Sequence, residues 1–564
     1  MAEADSQSES PKTAETPIIE RINGASIEGK LMELAQIGGS IEEIGKRVAV
    51  TRLAFSEEDK RARELLKRSM SEAGMSVEEF PFGLVGTYGA SEDSSPQPAI
   101  MMMSHFDSVP NGGAYDGDVG VISAIEVVDA INKQGIRFPR PIKVLALTAE
   151  ESSRFQIALL GSKMAFNGLS QDELQSARPG DATLEKALEN WGIDPQSVTK
   201  PTFHSQDIAS VIELHVEQND RLAEKSVDLG VVEAIAAPVR KEFVIGQPIT
   251  QDTTEYQNAK YLEITVAGQA DHSGATPMGK EDRADGLVPL ADILITAGVL
   301  QDQDPNVKIS IGNVKVEGQA LNKIPGNTSC TIKIGGSDEQ IQATIATLKD
   351  KIEKRNDYYE QEYKEFGNDP ISVNISDTAP QDTIFYRPSD VHASNELAGQ
   401  VIKAVNSVAQ NVGEENIVGT VGTYNVKDGQ IVLGVDIRGI DKARLDEVWD
   451  EILEKLDRMN KHRTPYVLKA LPASAPPAKT DQRLVDLTES AIKDNSIGSY
   501  VKTFSPAGHD SQVTAEVGIP TGMIFIPSRN GGASHVPEEY STQEDLEKGA
   551  RTLAALVMRL AKSS

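Results

Sequence analysis

The sequence has a single cysteine, no long apolar run and far fewer basic than acidic side chains. Cys330 is the one cysteine among 564 residues, which excludes a disulfide framework and predicts a reducing compartment, by default the cytoplasm. No apolar run approaches the roughly 18 residues of a membrane span, so we expect no membrane partner. The net charge of −29, from 85 acidic and 56 basic residues, argues against nucleic acid or an anionic membrane surface.

The remaining composition is that of a globular protein with more than one domain. A hydrophobic fraction of 39% with 25% charged residues is typical of soluble globular chains. A chain of 564 residues exceeds one ordinary core, so two or more domains are expected. The polar, acidic and serine-rich start predicts a disordered acidic tail over residues 1–26.

Histidine is scarce, yet half of it lies beside acidic residues near the ends of predicted strands. The chain has eight histidines, and four of them occupy such positions: His105, His215, His509 and His535. A single histidine of this kind is more often structural or exposed than functional. Because parallel strands place their carboxyl ends at one edge of a sheet, the set predicts a shared site. Imidazole and carboxylate groups are ligands of divalent metals such as zinc.

The order of predicted elements indicates an α/β domain interrupted by a different one. Residues 98–147 read as strand, loop, helix and strand, which favours a mainly parallel sheet with covering helices. The pattern changes near Val239 to a small antiparallel α+β unit. That unit runs over a strand at 261–268, a helix at 283–299, strands at 307–316 and 328–334, and a helix at 339–355.

A similar order then recurs, which suggests an internally duplicated lid inserted into the catalytic domain. It comprises a strand at 371–375, a helix at 395–410, strands at 417–426 and 430–437, and a helix at 441–459. The predicted boundaries are 27–245 and 471–564 for the catalytic domain, and 246–356 and 357–470 for the two lid copies. The alternative is one larger domain whose elements alternate by chance.

Five residues would form a two-metal site with a shared carboxylate, and they are His105, Asp116, Glu151, His215 and His535. Two divalent ions are expected, with zinc best suited and manganese, cobalt or nickel also compatible. Glu150 would act as general base and later as general acid, because it cannot point the same way as its neighbour Glu151. Asp107, two residues after His105, would orient that imidazole.

Long motifs around these residues resemble a known family. They are His105-x-Asp107-Ser-Val-Pro-Asn-Gly-Gly-x-x-Asp116-Gly, Glu150-Glu151-x-Ser153-Arg154-Phe155, Glu213-x-His215-x-Glu217-Gln218, His272-x-Gly-x-Thr-Pro-Met, Ala507-Gly-His509-Asp510 and Ser534-His535-x-Pro-x-Glu539. This set resembles the carbamoylase branch of the dinuclear-zinc aminoacylase/carboxypeptidase metallohydrolases. That branch holds N-carbamoyl-L-amino-acid hydrolases, β-ureidopropionases and allantoate amidohydrolases. The resemblance implies a zinc-exopeptidase-like catalytic domain and hydrolysis of a linear amide or ureido bond.

The resemblance also implies residues that contact the substrate, with one departure from the family pattern. His272 would polarise the scissile carbonyl, Gln218 and His509 would contact the ureido or amide group, and Asn322 would hold the substrate carboxylate with an arginine. The family places that arginine 13 residues after the asparagine, where this chain has Gly335, and Lys333 replaces the preceding aspartate. An Asp-Ile-Arg string occurs in the second predicted copy, so our hypothesis is that Arg438 supplies this contact within the same chain.

The implied partner is a small ureido or amide substrate that carries a carboxylate. The expected assembly is a homodimer or a monomer with a duplicated lid. A dipeptidase or aminoacylase with the same metal site is the alternative enzyme. A catalytically inactive binding protein is a further alternative, but the presence of all five predicted ligands and of Glu150 speaks against it.

Overall fold

The structure, a computed structural model, describes most of the chain as two compact units. The described residues are 15–562 except 91–96, 156, 178–180, 247–257, 275, 277, 280–282, 320, 322, 365–370, 378–384, 386–387, 413–416, 428–429 and 472–474. The first unit, here the catalytic unit, comprises residues 1–236 and 474–564. The second, here the lid unit, comprises residues 237–473.

The strands in chain order are β1 (Gly39–Glu43), β2 (Arg47–Val50), β3 (Ser76–Phe80), β4 (Gly83–Tyr88), β5 (Ala99–His105), β6 (Ile142–Leu147), β7 (Ile208–Val216), β8 (Leu229–Ile235), β9 (Ala237–Ile245), β10 (Ala259–Ala267), β11 (Asp271–His272), β12 (Lys308–Val316), β13 (Lys323–Ile324), β14 (Thr328–Gly335), β15 (Ser372–Asp377), β16 (Val418–Lys427), β17 (Gln430–Gly439), β18 (Tyr466–Ala470), β19 (Ala478–Lys479), β20 (Tyr500–Ser505) and β21 (Thr521–Ile526).

The α-helices are α1 (Thr16–Ile19), α2 (Gly24–Ala35), α3 (Glu57–Glu72), α4 (Asp118–Lys133), α5 (Leu160–Phe166), α6 (Gln171–Leu174), α7 (Leu184–Asn190), α8 (Arg221–Glu224), α9 (Leu287–Gln303), α10 (Asp338–Lys364), α11 (Pro388–Asn411), α12 (Lys442–Met459), α13 (Gln482–Asp494), α14 (Ser511–Glu516) and α15 (Gln543–Lys562). Short 3-10 turns occupy Pro195–Val198 and Ser205–Asp207. Within the described residues, no helix has both the length and the hydrophobicity that crossing a membrane requires.

The catalytic unit is built on a nine-stranded sheet whose centre is parallel. The strand order is β19-β8-β21-β7-β5-β6-β4-β3, and β20 pairs with β8. β5 runs parallel to β6 and β7, and β21 runs parallel to β7. The carboxyl ends of these four strands therefore lie at one edge of the sheet. The α/β fold with a mainly parallel centre, predicted from residues 98–147, is confirmed.

The central strand β5 is apolar because both of its faces are covered. All seven of its residues are buried. Ile100 and Met102 pack into one hydrophobic cluster, and Met101 and Met103 into another. Since side chains alternate between the faces of a strand, these two clusters cover opposite faces of the sheet. Residues 99–103 are therefore all apolar, whereas a strand with one exposed face would alternate apolar and polar residues.

The end of the predicted tail is ordered instead of disordered. α1 lies within residues 1–26, and α2 begins at Gly24. Ile18 and Ile22 are each 1% exposed and belong to the main core of the catalytic unit. Ile18 lies in α1 and Ile22 in the short connection to α2, and the apolar surface that both bury favours order despite the acidic composition around them. Residues 1–14 lie outside the described part of the chain.

The lid unit contains two four-stranded antiparallel sheets with the same topology. The first has the order β12-β14-β10-β15 and the second has the order β16-β17-β9-β18. If the four strands of each sheet are numbered in chain order, both sheets have the spatial order 2-3-1-4. The first sheet is nested in the chain between β9 and β16 of the second.

The strand pairing differs from the predicted tandem division of the lid. The strand at 371–375, predicted to open the second copy, is β15 and pairs with β10 of the first sheet. β9, predicted to belong to the catalytic domain, opens the second sheet and pairs with β17 and β18. Alternation along a strand identifies the strand but not its partner, which explains the difference. The two sheets share only the spatial order of their strands, so an internal duplication of the sequence stays a prediction.

A buried arginine connects the elements that surround the strand-end loops. The Arg52 side chain is 1% exposed. Its Nε donates to the Phe106 carbonyl at 2.5 Å, its Nη1 to the Leu34 carbonyl at 3.1 Å, and its Nη2 pairs with Asp118 Oδ2 at 2.5 Å. Arg52 thus holds the end of α2 and the start of α4 against the loop that follows β5.

Replacing Arg52 with alanine is expected to destabilise the protein strongly. Asp118, 3% exposed, would lose its ion-pair partner, and an uncompensated buried charge costs roughly 3–5 kcal/mol of unfolding free energy. Urea denaturation followed by circular dichroism would measure the loss. Arg61→Ala is the control, because Arg61 is 58% exposed in a pair with Glu58 and should cost at most about 1 kcal/mol. Equal denaturation midpoints for the two variants would contradict this account.

Candidate metal centre

The loop after β5 brings Asp116 back against the end of the strand. His105 is the last residue of β5, and Asp116 lies two residues before the first residue of α4. Between Asp116 and α4, Gly117 has a φ of +70°. A Cβ at this position would lie 2.4 Å from the His105 ring. Only glycine combines this backbone conformation with such a close approach of the imidazole.

Two histidine lone pairs and one carboxylate oxygen converge on a buried point. His105 Nδ1 lies 3.1 Å from the Asp107 carbonyl oxygen, and His215 Nδ1 lies 2.9 Å from the Val216 carbonyl oxygen. Because carbonyls only accept, both Nδ1 atoms donate, and the Nε2 lone pairs face inward. The two Nε2 atoms are 3.4 Å apart and lie 3.4 and 3.2 Å from Asp116 Oδ1. When the imidazoles are unprotonated, such a convergence of acceptors offers a set of ligands for a cation.

A second ligand group shares Asp116 through its other oxygen. His535 Nε2 lies 3.4 Å from Asp116 Oδ2 and 3.1 Å from Glu151 Oε1. The His535 side chain is 39% exposed, whereas those of His105 and His215 are 2% and 1% exposed. The site is therefore closed around the first group and open to solvent at the second. All five predicted metal ligands come together, in two groups joined by Asp116.

Asp107 positions Glu150 and Glu151 through their backbone. Asp107 Oδ1 accepts from the N–H of Glu150 at 3.1 Å, and Oδ2 accepts from the N–H of Glu151 at 3.2 Å. Its carboxylate is 3.7 Å from His105 Nδ1, while its carbonyl makes the shorter contact described above. Asp107 therefore touches the imidazole mainly through its main chain and uses its carboxylate to hold the acidic pair. Burial raises the pKa of Asp107 to about 8, although the charge of His105 opposes this.

The electrostatics of the site favour positive charge. Burial lowers the pKa of His105, but its contact with Asp116 and the charges of Glu150 and Asp107 outweigh this and raise the pKa well above its usual range. The pKa of His535 is likewise raised well above its usual range, because Glu151 and Asp116 outweigh burial. Burial opposes ionisation of Asp116, yet the surrounding histidines hold its pKa well below its usual range.

Glu150 is a buried acid beside this cluster. It is 8% exposed, and burial raises its pKa well above its usual range, with added repulsion from Glu151, Asp510 and Asp107. The preceding residue, Ala149, has a φ of +62°. This left-handed residue turns the chain directly after β6, so that the acidic pair follows the sheet edge.

Gln218 and His509, predicted to contact the substrate, both reach the cluster. Gln218 Nε2 donates to Asp116 Oδ2 at 2.6 Å, from a backbone with a φ of +59°. The His509 ring centroid is 4.5 Å from that of His215, and its Nε2 lies 2.8 Å from Ser505 Oγ. Burial and the charge of His215 hold the pKa of His509 well below its usual range, so this imidazole is neutral.

The sequence interpretation assigned no role to Glu213, a fully buried carboxylate next to the cluster. Its Oε2 accepts from the backbone N–H of Ser511 at 3.1 Å and from Ser511 Oγ at 2.6 Å. Glu213 thus holds the start of α14, which begins two residues after His509. The sequence feature that could have indicated a role for Glu213 is its spacing from His215. Glu213 lies two residues before His215 on β7, so both side chains share one face of the strand.

Within the lid unit, the chain near His272 meets Arg438. β11, which ends at His272, pairs with β13, which begins at Lys323; Asn322 lies outside the described residues. A Cβ at Gly274 would lie 2.6 Å from Arg438 Nη1, so this glycine allows the guanidinium to lie against the loop. Arg438 is 6% exposed, and its Nε and Nη2 pair with Asp436 at 3.0 and 3.1 Å.

These features define a class: an α/β protein with a candidate two-ion centre at the carboxyl edge of its sheet. The chain belongs to peptidase family M20/M25/M40, a metal-dependent family whose model matches residues 101–559. The resemblance noted in the motifs is confirmed by the curated relatives. An N-carbamoyl-L-amino acid amidohydrolase of Geobacillus stearothermophilus is 26% identical, covering 96% of this chain and 99% of the relative. An allantoate amidohydrolase of Escherichia coli is 26% identical, covering 91% and 93%.

Solved structures share the fold over nearly the whole chain. An amidase of the hydantoinase/carbamoylase family from Burkholderia multivorans has a TM-score of 0.55 at 22% identity, covering 96% of this chain and 99% of that one. An aminoacylhistidine dipeptidase from Vibrio alginolyticus has a TM-score of 0.57 at 13% identity, covering 96% and 98%. At these identities the likeness concerns the fold alone.

Zinc binding is expected to displace protons near pH 7. The raised pKa values of His105, His215 and His535 keep these imidazoles protonated to a higher pH in the metal-free chain, and an ion needs their lone pairs. Zinc affinity should therefore fall as the pH falls. Isothermal titration in buffers of different ionisation enthalpy would measure the protons released.

The matched variants are His215→Gln and His204→Gln, of which only the first alters the cluster. The His215→Gln variant should release fewer protons when zinc binds. The His204→Gln variant, at an exposed position, should release as many as the unsubstituted protein. A binding enthalpy that is independent of the buffer would contradict the expected proton release.

Proposed function

We propose that this chain hydrolyses a linear amide or ureido C–N bond, namely that of an N-carbamoyl-L-amino acid or a related ureido acid. The observation that carries the proposal is the convergence of His105, Asp116 and His215 acceptor atoms beside the buried acid Glu150. Two curated relatives are named as amidohydrolases of N-carbamoyl-L-amino acids and of allantoate, which supports a ureido compound as the substrate.

The proposed centre holds two divalent ions, zinc by preference, with manganese, cobalt or nickel as alternatives. His105 and His215 would hold one ion, Glu151 and His535 the other, and Asp116 would contact both. Two such ions supply Lewis-acid polarisation and a nucleophilic water at neutral pH. The burial of His105 and His215 excludes bulk water from one side, and the exposed His535 leaves an entry on the other.

Glu150 is the proposed proton carrier of the reaction. It would take a proton from the attacking water and later give one to the departing nitrogen. A carboxyl with a raised pKa suits both steps, because the groups that give and receive the proton must differ little in acidity. Asp107 supports this role by fixing the Glu150 backbone. When the product is a carbamate, its breakdown yields carbon dioxide and ammonia.

The proposed substrate contacts are those that the family motifs imply. Gln218 and the neutral His509 would contact the ureido or amide group beside the ions. His272 would donate to the developing oxyanion, and Asn322 with Arg438 would bind the substrate carboxylate. Arg438 and Arg240 share one carboxylate, Asp436, whose pKa is lowered because both guanidinium groups outweigh its burial. One positive charge of the trio is thus left to attract an anion.

The proposed setting is a cytoplasmic enzyme, either a homodimer or a monomer whose second lid sheet replaces the partner subunit. The sole cysteine, Cys330, is buried as a free thiol, which suits a reducing compartment. The equal strand order of the two lid sheets supports the monomeric arrangement. The strand that comes third along the chain, β14 in the first sheet and β17 in the second, takes the same place in both sheets. Arg438 lies on that strand of the second sheet and Gly335 on that of the first.

Glu150→Gln is expected to abolish ammonia release while leaving the ions bound. The protein, reconstituted with zinc, would be assayed with N-carbamoyl-L-amino acids, N-carbamoyl-β-alanine and allantoate, beside dipeptides and N-acetyl amino acids. Loss of general acid–base catalysis should lower kcat by roughly 10²–10⁴-fold. Glu189→Gln, at a side chain 47% exposed, is the control and should retain full activity. Cleavage of dipeptides or N-acetyl compounds alone would favour a dipeptidase or an aminoacylase instead.

Arg438→Ala is expected to raise KM for carboxylate substrates by roughly 10- to 150-fold, since hydrogen bonds to charged groups contribute about 1.5–3 kcal/mol. Arg438→Lys should recover only part of this, because an ammonium cannot make the bidentate contact. The control is the primary-amide analogue of the same substrate, for which the KM should change little. An unchanged KM for the carboxylate substrate would exclude Arg438 from its binding.

A further inference from the structure

Glu539 contacts the backbone of two predicted metal ligands at once. It follows His535 by four residues and is 5% exposed. Its Oε1 accepts from the N–H of His535 at 2.6 Å, and its Oε2 accepts from the N–H of Asp116 at 3.2 Å and of Tyr115 at 3.3 Å. One carboxylate thus joins two loops that lie more than 400 residues apart in the chain.

His535 needs such support more than the other two histidines do. The outward nitrogens of His105 and His215 donate to backbone carbonyls, which fixes each ring. Among the described residues, no hydrogen bond orients the outward nitrogen of His535. Its side chain is 39% exposed, and its backbone has a φ of +59°. The contact from Glu539 is the hydrogen bond that holds this ligand in place.

Gly113 makes room for the carboxylate. A Cβ at Gly113 would lie 2.2 Å from Glu539 Oε2 and 2.4 Å from its Cδ. Gly113 is not among the residues with a positive φ, so it is the approach of Glu539, and not the backbone conformation, that excludes a side chain here.

The charge of Glu539 also has a cost that the ions would remove. A buried carboxylate beside Asp116 adds negative charge to a site that already holds several acids, and like charges there repel. Among the described residues, no lysine or arginine forms an ion pair with Glu539. A buried acid in this position is favourable when cations occupy the site, which links Glu539 to the ions in addition to the two loops that its hydrogen bonds join.

We propose that Glu539 is a positioning residue that sets the affinity of the ion held by Asp116, Glu151 and His535. This inference rests on the two-ion centre of the proposed function. In this role Glu539 acts on the backbone of the ligands and not on the substrate. By fixing the His535 and Asp116 backbones relative to each other, it holds their side chains at a separation that one ion can bridge. The ion between His105 and His215 depends on it less, because both rings have their own anchors.

The test is a zinc titration of the metal-free full chain and its variants. In Glu539→Gln the size is kept, but an amide nitrogen must face either the His535 N–H or the two N–H groups of Tyr115 and Asp116. We expect one ion to bind as in the unsubstituted protein and the second 10- to 100-fold more weakly. kcat at saturating zinc should recover, with KM unchanged. Gly113→Ala, which displaces Glu539 without altering it, should weaken the same ion.

The control is Glu538→Gln, the neighbouring acid, whose side chain is 46% exposed and pairs with Arg47. It should bind both ions as the unsubstituted protein does. Equal weakening of both ions in Glu539→Gln, or of neither, would overturn the positioning role. Should Gly113→Ala fail to fold by circular dichroism, the isosteric Glu539→Gln decides alone. If the unsubstituted protein binds fewer than two ions, the two-ion centre fails, which is a separate result from failure of the Glu539 role.

Discussion

The structure of the site depends on one carboxylate, with a side chain 9% exposed, placed among three histidines. Asp116 lies within 3.2–3.4 Å of the Nε2 atoms of His105, His215 and His535. Acceptor atoms at these separations repel one another unless a proton or a metal cation lies between them. The loop from β5 to α4 must hold them together against this repulsion, and Gly117 permits the approach.

Buried acids hold the loops of the site in place against this repulsion, because they accept hydrogen bonds from backbone N–H groups beside the site. Asp107 holds the Glu150–Glu151 segment, Glu539 holds Asp116 and His535, and Glu213 holds the chain after His509. Loops at a strand end lack the regular hydrogen bonds of a sheet, so their N–H groups need other acceptors. A carboxylate can serve two or three of them at once. Each acid therefore satisfies a loop and also fixes the side chain that the loop carries.

Much of this could be predicted because local patterns carried it. The apolar run of β5, the helix spacing in α4 and the strand-end position of His105 are all visible along the chain. The assignment of strands to the lid sheets could not be predicted, because the residues of β9 and β15 identify no pairing partner. The order of residues 15–26 was missed for a related reason: Ile18 and Ile22 gain their burial from distant helices.

The sequence by itself determined which residue types could bind ions and that a parallel sheet would collect them. Motif spacing and strand ends are local properties, and the peptide chain expresses them before any tertiary contact forms. Only the tertiary structure decided that Asp107 acts on Glu150 and Glu151 through their N–H groups, and that Glu539 joins Asp116 to His535. Hydrogen bonds between segments 43 residues apart, as for Asp107 and Glu150, or 423 apart, as for Asp116 and Glu539, depend on the position of both backbones, and no pattern along one segment contains that information.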